Sequence, residues 1–424
     1  MINTSTMPRL QKKTLTASSF VAVLVACSMI FTSCKQKSAP AGDEIAIGEY
    51  ASMTGNTATF GQSVHGGAVL AIDEINTAGG VLGKKINLIS EDDQSKTDDA
   101  AASVQKLINS DQVVALLGEV ASTRSKAGAP IAQKFSIPMI TPASTNEDVT
   151  KIGNYIFRIC FIDPFQGEAL ANFAMNSLHG KRAAILIDTK SDYSLGLSKA
   201  FRETFSKAGG QIVSEQTYSS GDKDFHAPLT SIRASNPDIV FVPGYYTEVS
   251  LIVRQARELG IKVALLGGDG WDSDELTKGA EKDFDGTYFS NHFSTEDPDT
   301  TVQMFVKKYQ AKYTKMPDAM AALGYDAARI LIDAIKRAGS TDHEKLRAAI
   351  AATKDFAGVT GNITIDANRN ASKPLTILKI ENGKFHFAQR IGANGAALTP
   401  FTPTGQTAPA TAPATAPAAA PTGK

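Results

Sequence analysis

Hydroxyl, phenol and carboxylate side chains recur at one kind of place in this chain. Ser122-Thr123, Ser144-Thr145, Tyr193, Tyr245 and Asp269 each follow closely after the carboxyl end of a short apolar run that reads as a buried strand. In parallel α/β sheets that edge is where ligands bind. Hydroxyls, together with free backbone N–H groups at helices starting after Ser122 and Ser144, suit a carboxylate, whereas Asp269 suits an ammonium. One anionic and one cationic group on a small molecule describe a zwitterion such as an amino acid. Each residue also has a purely structural reading: Ser144-x-x-Glu147 matches a capping box and Ser122 an N-cap, Tyr245-Tyr246 suits a core, and Asp269, inside Gly267-Gly268-Asp269-Gly270, suits a turn. Recurrence at the same edge in both halves of the chain favours a site.

Other chemistries lack their residues. Gly79-Gly80-Val81-Leu82-Gly83-Lys84-Lys85 has neither the spacing nor the Ser/Thr of a phosphate loop and reads as a turn. The six histidines, at 65, 179, 226, 292, 343 and 386, stand singly, without metal-ligand spacing, and are expected at the surface or in packing. No Gly-x-Ser-x-Gly elbow occurs, and Cys160, in the apolar run 155–162, reads as a buried, inert thiol. Asp92-Asp93 and Asp272-x-Asp274 read as solvated loop carboxylates rather than acid/base or metal pairs. No enzyme, metal or cofactor is expected.

The elements that must hold these residues alternate. Apolar runs at 45–51, 86–90, 113–118 and 138–141 read as buried parallel strands, and 62–76, 98–109 and 125–135 have helical spacing. The pattern restarts with strands at 183–188, 212–215, 239–243 and 263–267 around helices at 195–208, 225–234 and 248–259, so two similar α/β halves are implied. A strand-like run at 286–293 leads to helices at 300–313, 319–338 and 342–351, then strands at 363–365, 375–381 and 384–389.

Ala71-Ile72-Asp73-Glu74-Ile75-Asn76, followed by Gly79-Gly80-Val81 and Gly83-Lys84-Lys85-Ile86, resembles the first helix-to-strand passage of the periplasmic branched-chain amino-acid binding proteins. Met53-Thr54-Gly55 with Phe60-Gly61, Pro138-Met139-Ile140-Thr141-Pro142-Ala143-Ser144-Thr145-Asn146, Lys223-Asp224-Phe225, Gly244-Tyr245-Tyr246 and Arg254-Gln255-Ala256-Arg257 are similar to that family's running pattern, a likeness spanning roughly residues 45–389. The resemblance implies an α/β fold of two doubly wound parallel-sheet lobes with three hinge crossings, the type I periplasmic binding fold. It assigns residues 44–162 and 292–365 to the first lobe and 163–291 and 366–398 to the second. It also implies that Ser122 and Thr145, helped by Tyr193, take the ligand's α-carboxylate, and that Asp269 and a main-chain oxygen near Ala143 take its ammonium. Phe60 and Tyr245 would wall the side-chain pocket, and Ser144 and Gly270 complete the expected ligand-binding set. The function implied is that of a monomeric extracytoplasmic substrate-binding lipoprotein handing an amino acid, branched-chain or otherwise aliphatic, to the permease of an ABC transporter in the inner membrane. The alternatives are a binder of the same fold for urea, an amide or an aromatic acid, and a ligand-sensing receptor. Two positions depart from the pattern. Leucine-type members carry glutamate where Asp269 stands, and Trp271, the only tryptophan, follows beside it, either to reshape the pocket or to pack at a lobe edge.

The ends read differently. Arg9, Lys12 and Lys13 precede an apolar stretch from 15 to 31, as in a secretory signal covering residues 1–33. Phe31-Thr32-Ser33-Cys34 resembles the lipobox of bacterial lipoproteins, so Cys34 is the expected lipid attachment and residues 34–43 a tether to the periplasmic face of the membrane. Losing the signal leaves 40 basic against 43 acidic side chains, which is no footprint for nucleic acid. Residues 399–424, rich in Ala, Pro and Thr, are expected to be a disordered tail.

Overall fold

β1 (Glu44–Ala51) is buried along almost its whole length, as a central strand covered on both faces must be. It is followed by α1 (Ala58–Thr77), β2 (Lys85–Asp92), α2 (Thr97–Asn109), β3 (Leu116–Leu117), α3 (Ser122–Lys134), β4 (Met139–Thr141), α4 (Asp148–Lys151) and β5 (Ile156–Arg158). The five strands are all parallel, in the order β2-β1-β3-β4-β5. Strand alternation sorts the core: Leu117, Ile140 and Phe157 join the side chains of α1, while Leu116, Met139 and Ile156 pack with Val104 and Leu107 of α2 and Ala129 and Ala132 of α3. This computed structural model describes residues 44–398 and Met1. The expected signal, Cys34, the tether and the tail lie outside the described residues.

The second lobe repeats the scheme with α5 (Asp163–Asn176), β6 (Arg182–Asp188), α6 (Asp192–Lys207), β7 (Gln211–Tyr218), α7 (His226–Ala234), β8 (Ile239–Val242), α8 (Tyr246–Glu258), β9 (Ala264–Gly267) and β10 (Thr287–Asn291). The chain then returns to the first lobe for α9 (Thr300–Tyr313), α10 (Ala319–Ala338) and α11 (His343–Ala351), and for a small antiparallel sheet of β11 (Phe356–Gly358), β12 (Gly361–Ile365) and β13 (Ala371–Ser372). β14 (Leu375–Glu381), β15 (Lys384–Ile391) and β16 (Ala397–Leu398) complete the second sheet, ordered β16-β15-β14-β10-β9-β8-β6-β7. β14 runs antiparallel to β10.

One boundary is corrected. Residues 366–372, expected in the second lobe, stay with the first, because β13 pairs with β12 and the buried Arg158 draws the segment in. Arg158 Nε donates to Asn370 Oδ1 at 2.7 Å and its backbone N–H donates to Arg369 O at 3.1 Å.

Candidate functional site

Parallel strands bring the carboxyl ends of β1, β3 and β4 to one edge of the first sheet and those of β6, β8 and β9 to one edge of the second. The two edges meet. Asp192 N–H donates to Thr123 Oγ1 at 3.0 Å, Asn146 Nδ2 donates to Asp192 O at 2.8 Å, and Lys126 Nζ lies 2.7 Å from Asp192 Oδ1. Thr59 and Ser273 hydroxyls lie 3.0 Å apart, and Thr247 Oγ1 donates to Asn56 O.

On the second lobe, Asp269 follows β9 in a single tight turn, Asp269–Trp271, and is 3% exposed. Gln166 Nε2 donates to its Oδ1 at 2.7 Å, and His292 Nε2 meets its Oδ2 at 3.0 Å. Burial holds the His292 imidazole down at about 4, so it is neutral at pH 7 and donates as a neutral ring. Gly270 N–H donates to Tyr193 Oη at 3.1 Å, which leaves the phenol proton free to donate onward. Tyr193 stacks on Tyr245 with centroids 5.2 Å apart, and Phe60 from α1 meets Tyr245 edge-on at 5.8 Å. An aromatic wall thus spans both lobes.

On the first lobe, Ser122 is the first residue of α3, whose N-cap is Ala121, so Ser122 is not the cap that its type suggested. Its Oγ accepts from Asn146 N–H at 3.1 Å. The first-turn N–H groups of α3 have no acceptor within their own helix. Thr145 is buried, with its hydroxyl beside the Asp163 carboxyl. Ala143 is buried beside them, but the Ser144 hydroxyl turns inward, donating to Glu119 O at 2.9 Å or Val120 O at 3.0 Å and lying 2.7 Å from Ser125 Oγ. Ser144 therefore ties two strand ends together. It caps nothing: the N-cap of α4 is Glu147.

Several polar residues at this edge escaped the sequence reading. Asp163, the first residue of α5, is buried, and burial holds its carboxyl well above the usual range although the Thr145 hydroxyl beside it opposes the rise. Gly196 faces it: a Cβ there would stand 2.5 Å from Asp163 Oδ2. Asp93, expected in solvent, is fully buried, as are Glu119 and nearly all of Arg124. Ser52 Oγ donates to Asp93 Oδ1 at 2.6 Å, and Arg124 Nε lies 3.1 Å from Glu119 Oε2. Asp272 is also buried rather than solvated, accepting from Ala319 N–H at 2.6 Å. Nothing in their immediate sequence marks these residues; His292 and Asp163 sit at lobe crossings, where only the tertiary fold gives them neighbours.

Trp271 packs away from the cleft. Its Nε1 donates to Val242 O at 3.0 Å, and its ring lies so close over Gly267 that a Cβ there would meet it at 2.0 Å. Cys160 is fully buried and its thiol is pushed up to about 12 by that burial.

Comparison with known proteins agrees with this architecture. The chain is 40% identical to the leucine binding protein LivK of Thermotoga maritima, with a TM-score of 0.80 over 82% of this chain and 99% of that one. It is 36% identical to the branched-chain amino acid transporter substrate binding protein LivJ of Streptococcus pneumoniae, solved in complex with isoleucine, with a TM-score of 0.77 over 81% and 98% of the two chains. Among curated proteins, the Leu/Ile/Val-binding protein BraC3 of Rhizobium johnstonii is 31% identical over 82% of this chain and 94% of its own length. The sequence pattern described as periplasmic binding protein matches residues 44–384. The chain is a binding protein rather than an enzyme, and it belongs to the periplasmic branched-chain amino-acid binding protein family.

Proposed function

We propose that this protein captures an α-amino acid with a branched or otherwise aliphatic side chain between its lobes and delivers it to the permease of an ABC transporter, held at the membrane by a lipid on Cys34. Ser122, Thr145 and the first-turn N–H groups of α3 take the α-carboxylate, with the free proton of Tyr193 added as the lobes close. Asp269 takes the ammonium, beside Gly270 and with the carbonyl of Ala143 opposite. Phe60 and Tyr245 enclose the side chain.

The observation that carries this reading is the state of Asp269. It is a buried carboxylate whose hydrogen bonds come from an amide and a neutral imidazole, and no Lys or Arg pairs with it among the described residues. A buried anion without a cation is costly, and a ligand ammonium relieves that cost. A micromolar ligand needs a net gain of about 8 kcal/mol, within reach of a buried zwitterion plus an apolar side chain. Calorimetry with a panel of amino acids should find binding to the wild type and a loss on the order of a hundredfold or more in Asp269→Ala. Unchanged affinity in that variant removes the ammonium assignment. Mass spectrometry of the membrane-associated protein should find a diacylated Cys34; an unmodified thiol there removes the anchor and leaves the binding site standing.

A further inference from the structure

A cavity of about 220 Å³ opens against the aromatic wall, and the amino-acid site as assigned does not use it. Both lobes build it: Thr57, Ser95 and Arg124 come from the first, Lys190, Ser191 and Tyr245 from the second. Tyr245 belongs to both spaces, since the ring that lines this cavity also stacks on Tyr193 and meets Phe60. Thr123, next to Ser122, lines it as well. The cavity therefore continues the space in which the ligand's side chain would lie.

Its chemistry differs from an aliphatic pocket. Arg124 is 7% exposed and held rigidly, with Nη2 donating to Thr57 Oγ1 at 2.8 Å and Nε 3.1 Å from Glu119 Oε2. Lys190 is exposed at the rim, and Ser95 and Ser191 also line the cavity, the Ser95 hydroxyl donating to Thr54 O at 2.9 Å and the Ser191 hydroxyl accepting from Ser194 N–H at 3.2 Å. One carboxylate, Glu248, shares the lining, and its Oε1 accepts from Gly221 N–H at 2.8 Å. The lining thus carries two cations, Arg124 and Lys190, against one carboxylate, with Arg124 also paired to Glu119 and Asp93 behind it. A volume several times the ~30 Å³ share of one water holds a carboxamide or carboxylate group. A purely aliphatic chain end pressed against these donors would strip them of water without replacing the hydrogen bonds.

We propose that this cavity is a subsite for the distal end of the ligand's side chain, taking a terminal carbonyl oxygen, so that the preferred ligand is a linear amino acid with methylenes against Phe60 and Tyr245 and a carboxamide or carboxylate beside Arg124 and Lys190. This rests on the α-amino-acid part of the reading above and replaces its aliphatic side chain with a polar-tipped one. Calorimetry on the full chain with glutamine, glutamate, norleucine and leucine separates the cases. The expected result is binding of glutamine or glutamate about tenfold or more tighter than norleucine, a chain of similar length without the polar tip. The relative affinities of glutamine and glutamate tell a carboxamide site from a carboxylate site. Lys190→Ala, at an exposed position where folding is not at stake, should weaken the polar-tipped ligand several-fold while norleucine changes by less than about twofold. Arg124→Gln, checked for folding by its melting curve, should penalise glutamate more than glutamine. The subsite is overturned if leucine and norleucine bind as tightly as both polar-tipped ligands, or if Lys190→Ala shifts all ligands equally; the amino-acid reading survives both results. Binding by none of the four would overturn the amino-acid reading itself, and the subsite with it.

Discussion

His292 holds Asp269 from a position with an unusual electrostatic requirement. The imidazole stacks on Phe161 at 3.9 Å, is buried, and has no hydrogen-bond partner on Nδ1 among the described residues. Burial holds its pKa down at about 4, against about 6.5 in an unfolded chain. Between those values the unfolded state binds the extra proton, so the stability that depends on a neutral ring is present above about pH 6.5 and lost as pH falls toward 4. Asp163, whose pKa is raised by burial, acts in the opposite sense and loses stability as pH rises above the ordinary carboxylate range. Comparison with a variant isolates the histidine. His292→Gln keeps a donor toward Asp269 without a titrating ring, and its denaturant-derived stability should fall less steeply than that of the wild type between pH 6.5 and 4, by on the order of a few kcal/mol. Parallel pH profiles for the two proteins would show that the fold does not hold His292 uncharged.

Close helix packing behind the site rests on two glycines. A Cβ at Gly67 of α1 would stand 1.9 Å from Ala321 O, and one at Gly324 of α10 would stand 2.2 Å from Val64 O. The two helices therefore touch backbone to backbone, and this contact seats α1 so that Phe60 reaches the aromatic wall. Gly67→Val should destabilise the protein by about 1–3 kcal/mol through overpacking, read from the shift of the urea midpoint. An unchanged midpoint would mean that α10 moves aside freely. At this scale much was legible in advance: α9 and α10 lie at 300–313 and 319–338, the spans given by their apolar periodicity. α5 was not read as an element because it is buried on several sides, by Gln166, Ala169, Leu170, Phe173 and Ala174 among others, and so shows no clean polar stripe. Asp163 and Gln166 were hidden with it. The place of Ser122, Thr145, Tyr193, Tyr245 and Asp269 after the carboxyl ends of strands could be read because strand ends are visible in sequence. Arg124, Glu119 and Asp93 could not, since their partners are 31 and 5 residues away on the chain, in segments that only the pairing of β1 with β2 and β3 brings together.

The two lobes are shut on each other, and one residue does much of the fastening. Asp192, at the start of α6, uses its N–H on Thr123, its carbonyl on Asn146 and its carboxylate on Lys126, all three on the first lobe. The contacts proposed for the ligand, Asp269 and Tyr193 on one lobe and Ser122 and Thr145 on the other, would be available together only in this shut form, so that binding and closure would share one equilibrium. The affinity observed is the intrinsic affinity multiplied by the fraction of molecules shut. Lys126 and Asp192 are each 30% exposed, and an ion pair of that kind contributes about 0.2–1 kcal/mol. Lys126→Ala should therefore weaken amino-acid binding by only a few-fold, and raised salt should weaken the wild type more than the variant, because screening acts on a pair that the variant lacks. Small-angle scattering should show the ligand-free variant with a larger radius of gyration than the ligand-free wild type, and the two should converge at saturating ligand. If the variant lost affinity while its ligand-free dimensions matched those of the wild type, Lys126 would have to act on the bound molecule directly, and the Asp192 contacts would be a consequence of closure rather than one of its causes.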